Sequence, residues 1–350
     1  MSAYDLVSNL ALEIESYELE GLRQDVSPEF SRLTTVIRLR GGGQEGVGED
    51  VTYGAEDQAG LQQEGPTLPL KGSHTLDSFS QLVDRLGLWP SGPSLEQFRP
   101  YRRWAFESAA LDLALRQAGL PLAEALKRDP KPVRFVASMR FGDPASIDPL
   151  RAWLGLYPEL RVKLDPTGSW TEPLVAELVE TKAVDILDFK GAYKGTPVDQ
   201  PGDPTLYARI AIAFPEAWLE DPDLNDETGP VLAPHRARIT WDAPIHSVAD
   251  IVTLPFPPRT LNFKPSRFGS VQALFDGYDH CEENGIGMYG GGQFELGPGR
   301  GQIQYLASLF HADSPNDVAP APYNGKPAPG LPTSPLTPAL SKTGFRWGSG

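Results

Sequence analysis

Residues Leu12 to Glu20 alternate apolar and polar side chains, Thr34 to Arg40 repeats the pattern, and Gly46 to Tyr53 gives a third short run, with glycines gathered between the last two. Period-two runs separated by turn residues predict an antiparallel meander. The rhythm then becomes helical over Leu76 to Leu86 and over a longer stretch ending AFESAALDLALRQAG, which Gly119 and Pro121 close. Residues 1–126 therefore read as an α+β domain.

Beyond Val133 the pattern changes to short β-rich runs, each followed by a turn and a helical segment: VRFVASMRFG, RVKLDP, VDILDFKG, AWLEDP, RITWDAP, TLNFKPSRFG and IGMYGGGQFE. Lys163, Asp188, Glu220, Asp242 and Lys264 stand near five successive strand ends, at separations of 25, 32, 22 and 22 residues. That is one βα unit per step. Strand–helix alternation predicts a parallel sheet, and seven such units close into a barrel more readily than they form an open sheet. The glycine run GGGQFELGPG comes at the last strand, so the first turn of a dinucleotide-binding fold is missing. Residues 127–313 read as this barrel. From Asp313 to Gly350 the chain holds eight prolines, which build neither helix nor central strand. Residues 314–350 read either as an ordered strap packing back on the first domain or as a partly disordered tail.

Composition narrows the function. A chain of 350 residues with 40% hydrophobic content suits one barrel plus a small second domain. Its formal charge of −15 argues against nucleic acid or an anionic membrane as partner and leaves a small molecule. Asp5, Glu13 and Glu15 occupy the start, where a secretory signal needs a basic end and an apolar stretch, and no later segment is long and apolar enough to span a bilayer. The expected location is the cytoplasm. The single cysteine, Cys281, lies in a helix-like stretch and reads as a buried apolar residue. Assembly into a homo-oligomer is left open.

In such a barrel the active site lies at the C-terminal strand ends. Three consecutive strands end in Asp188, Glu220 and Asp242, and the strands on either side end in Lys163 and Lys264. One such carboxylate would read as a helix cap. Three converging would repel one another without a cation, and a hard, oxygen-preferring ion, Mg²⁺ or Mn²⁺, is the natural occupant. Period-two geometry puts Arg161 on the same face as Lys163, and Lys190 on the same face as Asp188. Both are then candidates for binding a substrate with more than one anionic group, or for pairing with nearby carboxylates. Glu295 follows the glycine run at the seventh strand end, where substrate binding and a structural hydrogen bond are equally open readings. His246 reads as a loop histidine, and Arg267 as the partner of an acidic neighbour.

The order RVKLDP, DILDFKG, WLEDP, ITWDAP, NFKPSRFGS resembles the enolase superfamily, and within it the muconate lactonizing enzyme-like subgroup. The likeness extends to GEDVTYGAEDQ and AFESAALDLALRQAGLPLAEAL in the first domain and to GQFELGPGRGQ at the seventh strand, so it covers nearly the whole chain. It implies a modified (β/α)7β barrel of TIM type with an N-terminal α+β capping domain. It also implies Asp188, Glu220 and Asp242 as ligands of Mg²⁺, and Lys163 and Lys264 as an acid/base pair. The implied chemistry is removal of a proton α to a substrate carboxylate, with the resulting enediolate stabilised by the metal and a cycloisomerase, dehydratase, racemase or epimerase outcome. Arg161, Lys190 and Ala243 depart from residues common in the subgroup. The loop Gly41 to Gly54 and the connection Arg23 to Arg32 are the expected lid. Two other functions compete: a Schiff-base aldolase using a strand-end lysine as nucleophile, and a non-catalytic relative that only binds metal or ligand.

Overall fold

The structure, a computed structural model, describes residues 1–27, 30–196 and 198–348. The first domain opens with β1 (Ala11–Ile14), β2 (Ser16–Ser27), β3 (Phe30–Gly41) and β4 (Gln44–Asp50), of which β2, β3 and β4 form the antiparallel meander expected from their patterning. The stretch Leu12 to Glu20 is two strands rather than one. The chain changes partner at Glu15, whose amide donates to the Arg40 carbonyl, and β1 pairs with β5 (Gly72–Thr75) instead. The segment GSHT carries no apolar alternation that could have announced this pairing.

The helix Arg99–Gln117 lies between the meander and the barrel, so almost all of its residues from Tyr101 to Leu115 are buried, the charged Arg102, Glu107 and Asp112 included. It approaches β4 so closely that a Cβ at Gly46 or Gly48 would overlap the carbonyl oxygens of Ala109 and Ala105. The region Gly41 to Gly54 is therefore mainly a buried strand and not the free lid loop expected. Its end reaches the barrel: Glu49 accepts the backbone amides of Leu296, Gly297 and Gly299, after the seventh strand, and the exposed Tyr53 borders the mouth cavity. Arg32 is also fixed, donating to the carbonyls of Val51, Thr52 and Gln293. Pro28 and Glu29, at the centre of the other expected lid segment, lie outside the described residues.

The second domain is the α/β barrel. Among the described residues its parallel strands are β6 (Ala137–Met139), β7 (Val162–Leu164), β8 (Val184–Asp188), β9 (Trp218–Glu220), β10 (Ile239–Thr240), β11 (Thr260–Phe263) and β12 (Gly287–Gly290). The first five are paired in sequence order and β11 pairs with β12. The Asn262 amide donates to the Trp241 carbonyl and links the two groups.

Closure between β12 and β6 is made by residues 316 and 317, so the architecture is (β/α)7β. The Asp317 amide donates to the Gly290 carbonyl at 2.8 Å, and the Val136 amide donates to the Asn316 carbonyl at 2.8 Å. Beyond this point the Pro-rich segment returns to the first domain, where Asp112 accepts from the backbone of Phe345 and from the guanidinium of Arg346. One continuous hydrophobic core runs through both domains. No described helix is long and apolar enough to cross a membrane.

A buried histidine secures the closure. The Asn316 side-chain nitrogen donates to the carbonyls of Arg134, His311 and Ser314, so its oxygen is the acceptor facing His311 Nδ1 at 2.6 Å. His311 is thus a neutral Nδ1–H tautomer whose Nε2 is buried without a hydrogen-bond partner among the described residues. Burial pushes its pKa down from 6.5 to about 4. The folded state binds this proton less readily than the unfolded chain, so stability is lost as pH falls from about 6.5 towards 4. In urea titrations, His311→Gln is expected to remove this dependence. Relative to the variant, the wild type should lose about 2.5 kcal/mol between pH 7.5 and pH 4.5. Parallel pH profiles for the two proteins would refute this assignment.

Candidate metal centre

The register of the strands brings the acidic strand ends into a row. Asp188 on β8 lies beside Glu220 on β9, and Glu220 lies beside Thr240 on β10, two residues before Asp242. Asp188, Glu220 and Asp242 are all fully buried, and each offers one carboxylate oxygen lying within 4.8 Å of the others. Lys163 stands at one end of the row, its ammonium 3.0 Å from Asp188 Oδ2 and in contact with Glu220 Oε1. Lys264 stands at the other, 2.7 Å from Asp242 Oδ2.

The row is further held by neutral donors, by the Arg267 guanidinium and by backbone. Tyr289 and Asn262 donate to Glu220 Oε2, the amide nitrogen of Asn262 at 3.3 Å. Arg267 Nε lies 3.2 Å from Asp242 Oδ1, and the Tyr193 hydroxyl donates to Asp242 Oδ2 at 2.7 Å. Asp221, directly after Glu220, accepts the backbone amides of Asp242 and Ala243 at 2.8 Å each and so fixes the end of β10.

Burial and ion pairing pull these carboxyl groups in opposite directions. Burial works to raise Asp188, but the ammonium groups of Lys163 and Lys190 outweigh it and hold the carboxyl below its usual range. Burial likewise opposes Asp242, and Arg267 and Lys264 overcome it. Glu220 is different: burial, reinforced by Asp188 and Asp242, pushes it well above the usual carboxylate range despite Lys163. Burial and then Asp242 and Asp188 raise Asp221 to about 7. Lys163, Lys190, Lys264 and Arg267 all pair with the row, yet burial and crowding still weigh against the charge on its central member, Glu220. Three clustered, buried carboxylate oxygens fit a hard divalent cation.

A cavity of about 140 Å³ opens beside the row, bordered by Lys163, Lys190, Lys264, Arg300, Asp317 and the capping domain's Tyr53. Lys190 reaches it from a backbone turn with φ of 57°, its amide donating to Asp188 Oδ1 and its ammonium contacting Asp188 Oδ2.

Arg161 does not reach the cavity. It precedes β7 and its guanidinium pairs with Asp185. Two residues along a strand is about 6.6 Å, enough to move a side chain from the mouth to the other end of so short a barrel. Glu295 is also outside: it accepts the Gln293 amide and pairs with Arg300 at 3.0 Å, behind the seventh strand end. His246 is held over the Asp250 carboxylate by its backbone and does not border the cavity.

Asn262 and Tyr289 escaped the sequence reading, although Asn262 shares the face of Lys264 by simple alternation. Arg300 and Asp317 carried no such signal, since one lies inside the helix Pro298–Phe310 and the other in the closing segment.

The comparisons agree with this architecture. Residues 5–125 match the N-terminal domain, and residues 129–325 the C-terminal domain, of the family described as Domain of unknown function (DUF8230). Over 225 residues the chain is 27% identical to the o-succinylbenzoate synthase of Bacillus subtilis (strain 168), which is 61% of this chain and 57% of that protein. The match therefore spans little more than half the length of that relative. Among solved structures, a dipeptide epimerase from Methylococcus capsulatus complexed with Mg ion is similar with a TM-score of 0.66 and 18% identity, covering 87% of this chain and 90% of that one. Muconate cycloisomerase from Pseudomonas fluorescens is similar with a TM-score of 0.65 and 19% identity, covering 97% and 95%. At such identities the structural likeness speaks for the fold, and it bears out the enolase-superfamily architecture to which the strand-end motifs pointed. With both of its domains matched in order over most of their length, the chain belongs to the DUF8230 family and is built on the enolase-superfamily fold.

Proposed function

We propose that the protein is a metal-dependent enzyme that removes a proton from the carbon α to a carboxylate of a small molecule, with an isomerase or lyase outcome. The observation that carries this reading is that Lys163 and Lys264 flank the three carboxylates and border the same cavity. Asp188, Glu220 and Asp242 would hold Mg²⁺, with Mn²⁺ an acceptable substitute for oxygen ligands. When bound, the cation supplies the positive charge that makes a carbon next to a carboxylate acidic enough for an amine base.

The protein's own groups divide the remaining work. Lys163 and Lys264 hold or move protons at Nζ on the two flanks of the cavity. Asn262 and Tyr289 orient Glu220, and Asp221 orients Asp242 through the backbone. The similar proteins include a dipeptide epimerase complexed with Mg ion, a muconate cycloisomerase and an o-succinylbenzoate synthase, which supports the metal and keeps the outcome at the level of the class.

The test is α-proton exchange followed by NMR in D₂O over a panel of small carboxylates, with Mg²⁺ and with EDTA. Exchange that needs Mg²⁺ and stops with EDTA is expected. Exchange that EDTA leaves undiminished, or a carbonyl compound trapped on Lys264 by borohydride, would overturn the reading in favour of amine catalysis.

A further inference from the structure

Two charged side chains of the first domain, Arg32 and Glu49, are each only 1% exposed where that domain meets the barrel. Burying a charge is costly, and the hydrogen bonds that offset the cost here come mainly from backbone. Arg32 uses all five N–H donors of its guanidinium, on the carbonyls of Leu33, Val51, Thr52, Gln293 and Phe294 at 2.6 to 3.1 Å. Glu49 accepts the amides of Leu296, Gly297 and Gly299 at 2.7 to 3.0 Å. A cation thus holds carbonyls, and an anion holds amides, of one barrel segment, residues 293–299 after β12. A Cβ at Gly299 would sit 2.9 Å from Glu49 Oε2, so the close approach depends on glycine there.

The contact bears on the cavity through two aromatic residues. Phe294, whose carbonyl accepts from Arg32 Nε, has φ of 55°, a backbone conformation that a residue with a side chain keeps when its surroundings over-determine it. Tyr53 follows the two carbonyls of Val51 and Thr52, and its ring centroid lies 4.2 Å from the Arg32 guanidinium carbon. Tyr53 and Phe294, one from each domain, border the cavity, whereas Arg32 and Glu49 do not. One guanidinium therefore fixes both.

We propose that Arg32, assisted by Glu49, is a positioning residue for substrate binding: it holds Tyr53 and Phe294 as a preformed wall of the cavity. Affinity then depends on a side chain that touches neither the cavity nor the carboxylate row. Loosening the wall lowers the fraction of molecules ready to bind and weakens affinity by the same factor. The chemical step is spared, because Lys163, Lys264 and the three carboxylates stand at barrel strand ends away from this contact. The catalytic assay rests on the α-proton reading, while the wall is read from the hydrogen bonds alone.

Arg32→Met, Arg32→Lys and Glu49→Gln are compared with wild type in three measurements: backbone hydrogen–deuterium exchange by mass spectrometry, Mg²⁺ calorimetry, and KM and kcat for α-proton exchange of the panel carboxylate that wild type turns over fastest. In Arg32→Met, residues 51–54 and 292–299 should together exchange backbone protons at least about 10-fold faster. KM should rise roughly 10- to 100-fold, with kcat and Mg²⁺ affinity within about threefold of wild type. Arg32→Lys keeps the charge but offers three donors from one atom, so it should recover part of the loss and carries the same test if Arg32→Met does not fold. Glu49→Gln should loosen residues 292–299 alone. Unchanged protection of both segments in the Arg32 variants would overturn the proposal, as would a fall in kcat at constant KM. Loss of protection across the barrel strands together with Mg²⁺ affinity would also overturn it, as the mark of general unpacking. If wild type exchanges no α-proton, the α-proton reading fails, and backbone exchange still decides whether Arg32 holds the wall.

Discussion

Glu220→Ala is expected to abolish measurable Mg²⁺ binding, and Asp188→Ala and Asp242→Ala to weaken it by at least about 100-fold, because each removes a charged oxygen from a set of three. Glu220 should show the largest effect. It sits between the other two, and its carboxyl is the one that burial and its neighbours push up, so it gains most from an added cation. Folding should survive all three changes, since a buried carboxylate in a crowd of like charges costs stability until a cation arrives.

Unfolding titrations separate the two effects. Mg²⁺ at 100 times its dissociation constant should stabilise the wild type by about 2.7 kcal/mol and should leave Glu220→Ala unmoved. Wild-type affinity in all three variants would remove the assignment of the metal site.

The residues that sequence could locate are those whose position follows from local geometry. A parallel barrel must place the last residues of each strand at one mouth, so Lys163, Asp188, Glu220, Asp242 and Lys264 were legible from their spacing before any contact was known. Lys190 was legible for a different reason than alternation supposes. It reaches the cavity through a left-handed turn that its amide makes with Asp188, and not as the next tooth of a strand. Alternation failed at Arg161 because β7 begins one residue later, which leaves the guanidinium at the far end with Asp185.

What could not be read is what tertiary closure brings in. Arg300 comes from the first turn of a helix, and Asp317 from a segment whose prolines suggested a strap or a partly disordered tail. Tyr193 reaches Asp242 from the long connection between β8 and the helix Pro204–Ala213. None of these has a periodic signal, because each depends on where a non-repeating piece of backbone packs. The same holds for β5, whose pairing with β1 is decided by the first domain's core and not by the polar segment GSHT itself.

Lys163→Ala and Lys264→Ala should produce the largest losses in catalysis, roughly 100- to 10,000-fold in α-proton exchange, if both amines transfer protons. The two lysines are separated by the three strands that carry Asp188, Glu220 and Asp242, and each touches a different end of the row. A carboxylate held at the centre would present one face of its α-carbon to each amine. With a chiral probe in D₂O, each single variant should therefore lose exchange of one enantiomer and retain that of the other. A different division of labour gives a different pattern. If one lysine is the base and the other only a nearby positive charge, one variant should lose exchange of both enantiomers while the other keeps exchange at a reduced rate. Lys→Arg at the same positions distinguishes charge from proton transfer, because a guanidinium retains the cation and cannot serve as a base near neutral pH. Rescue by arginine at a position would assign it an electrostatic role. Exchange at the wild-type rate in Lys163→Ala/Lys264→Ala would remove both lysines from the chemistry.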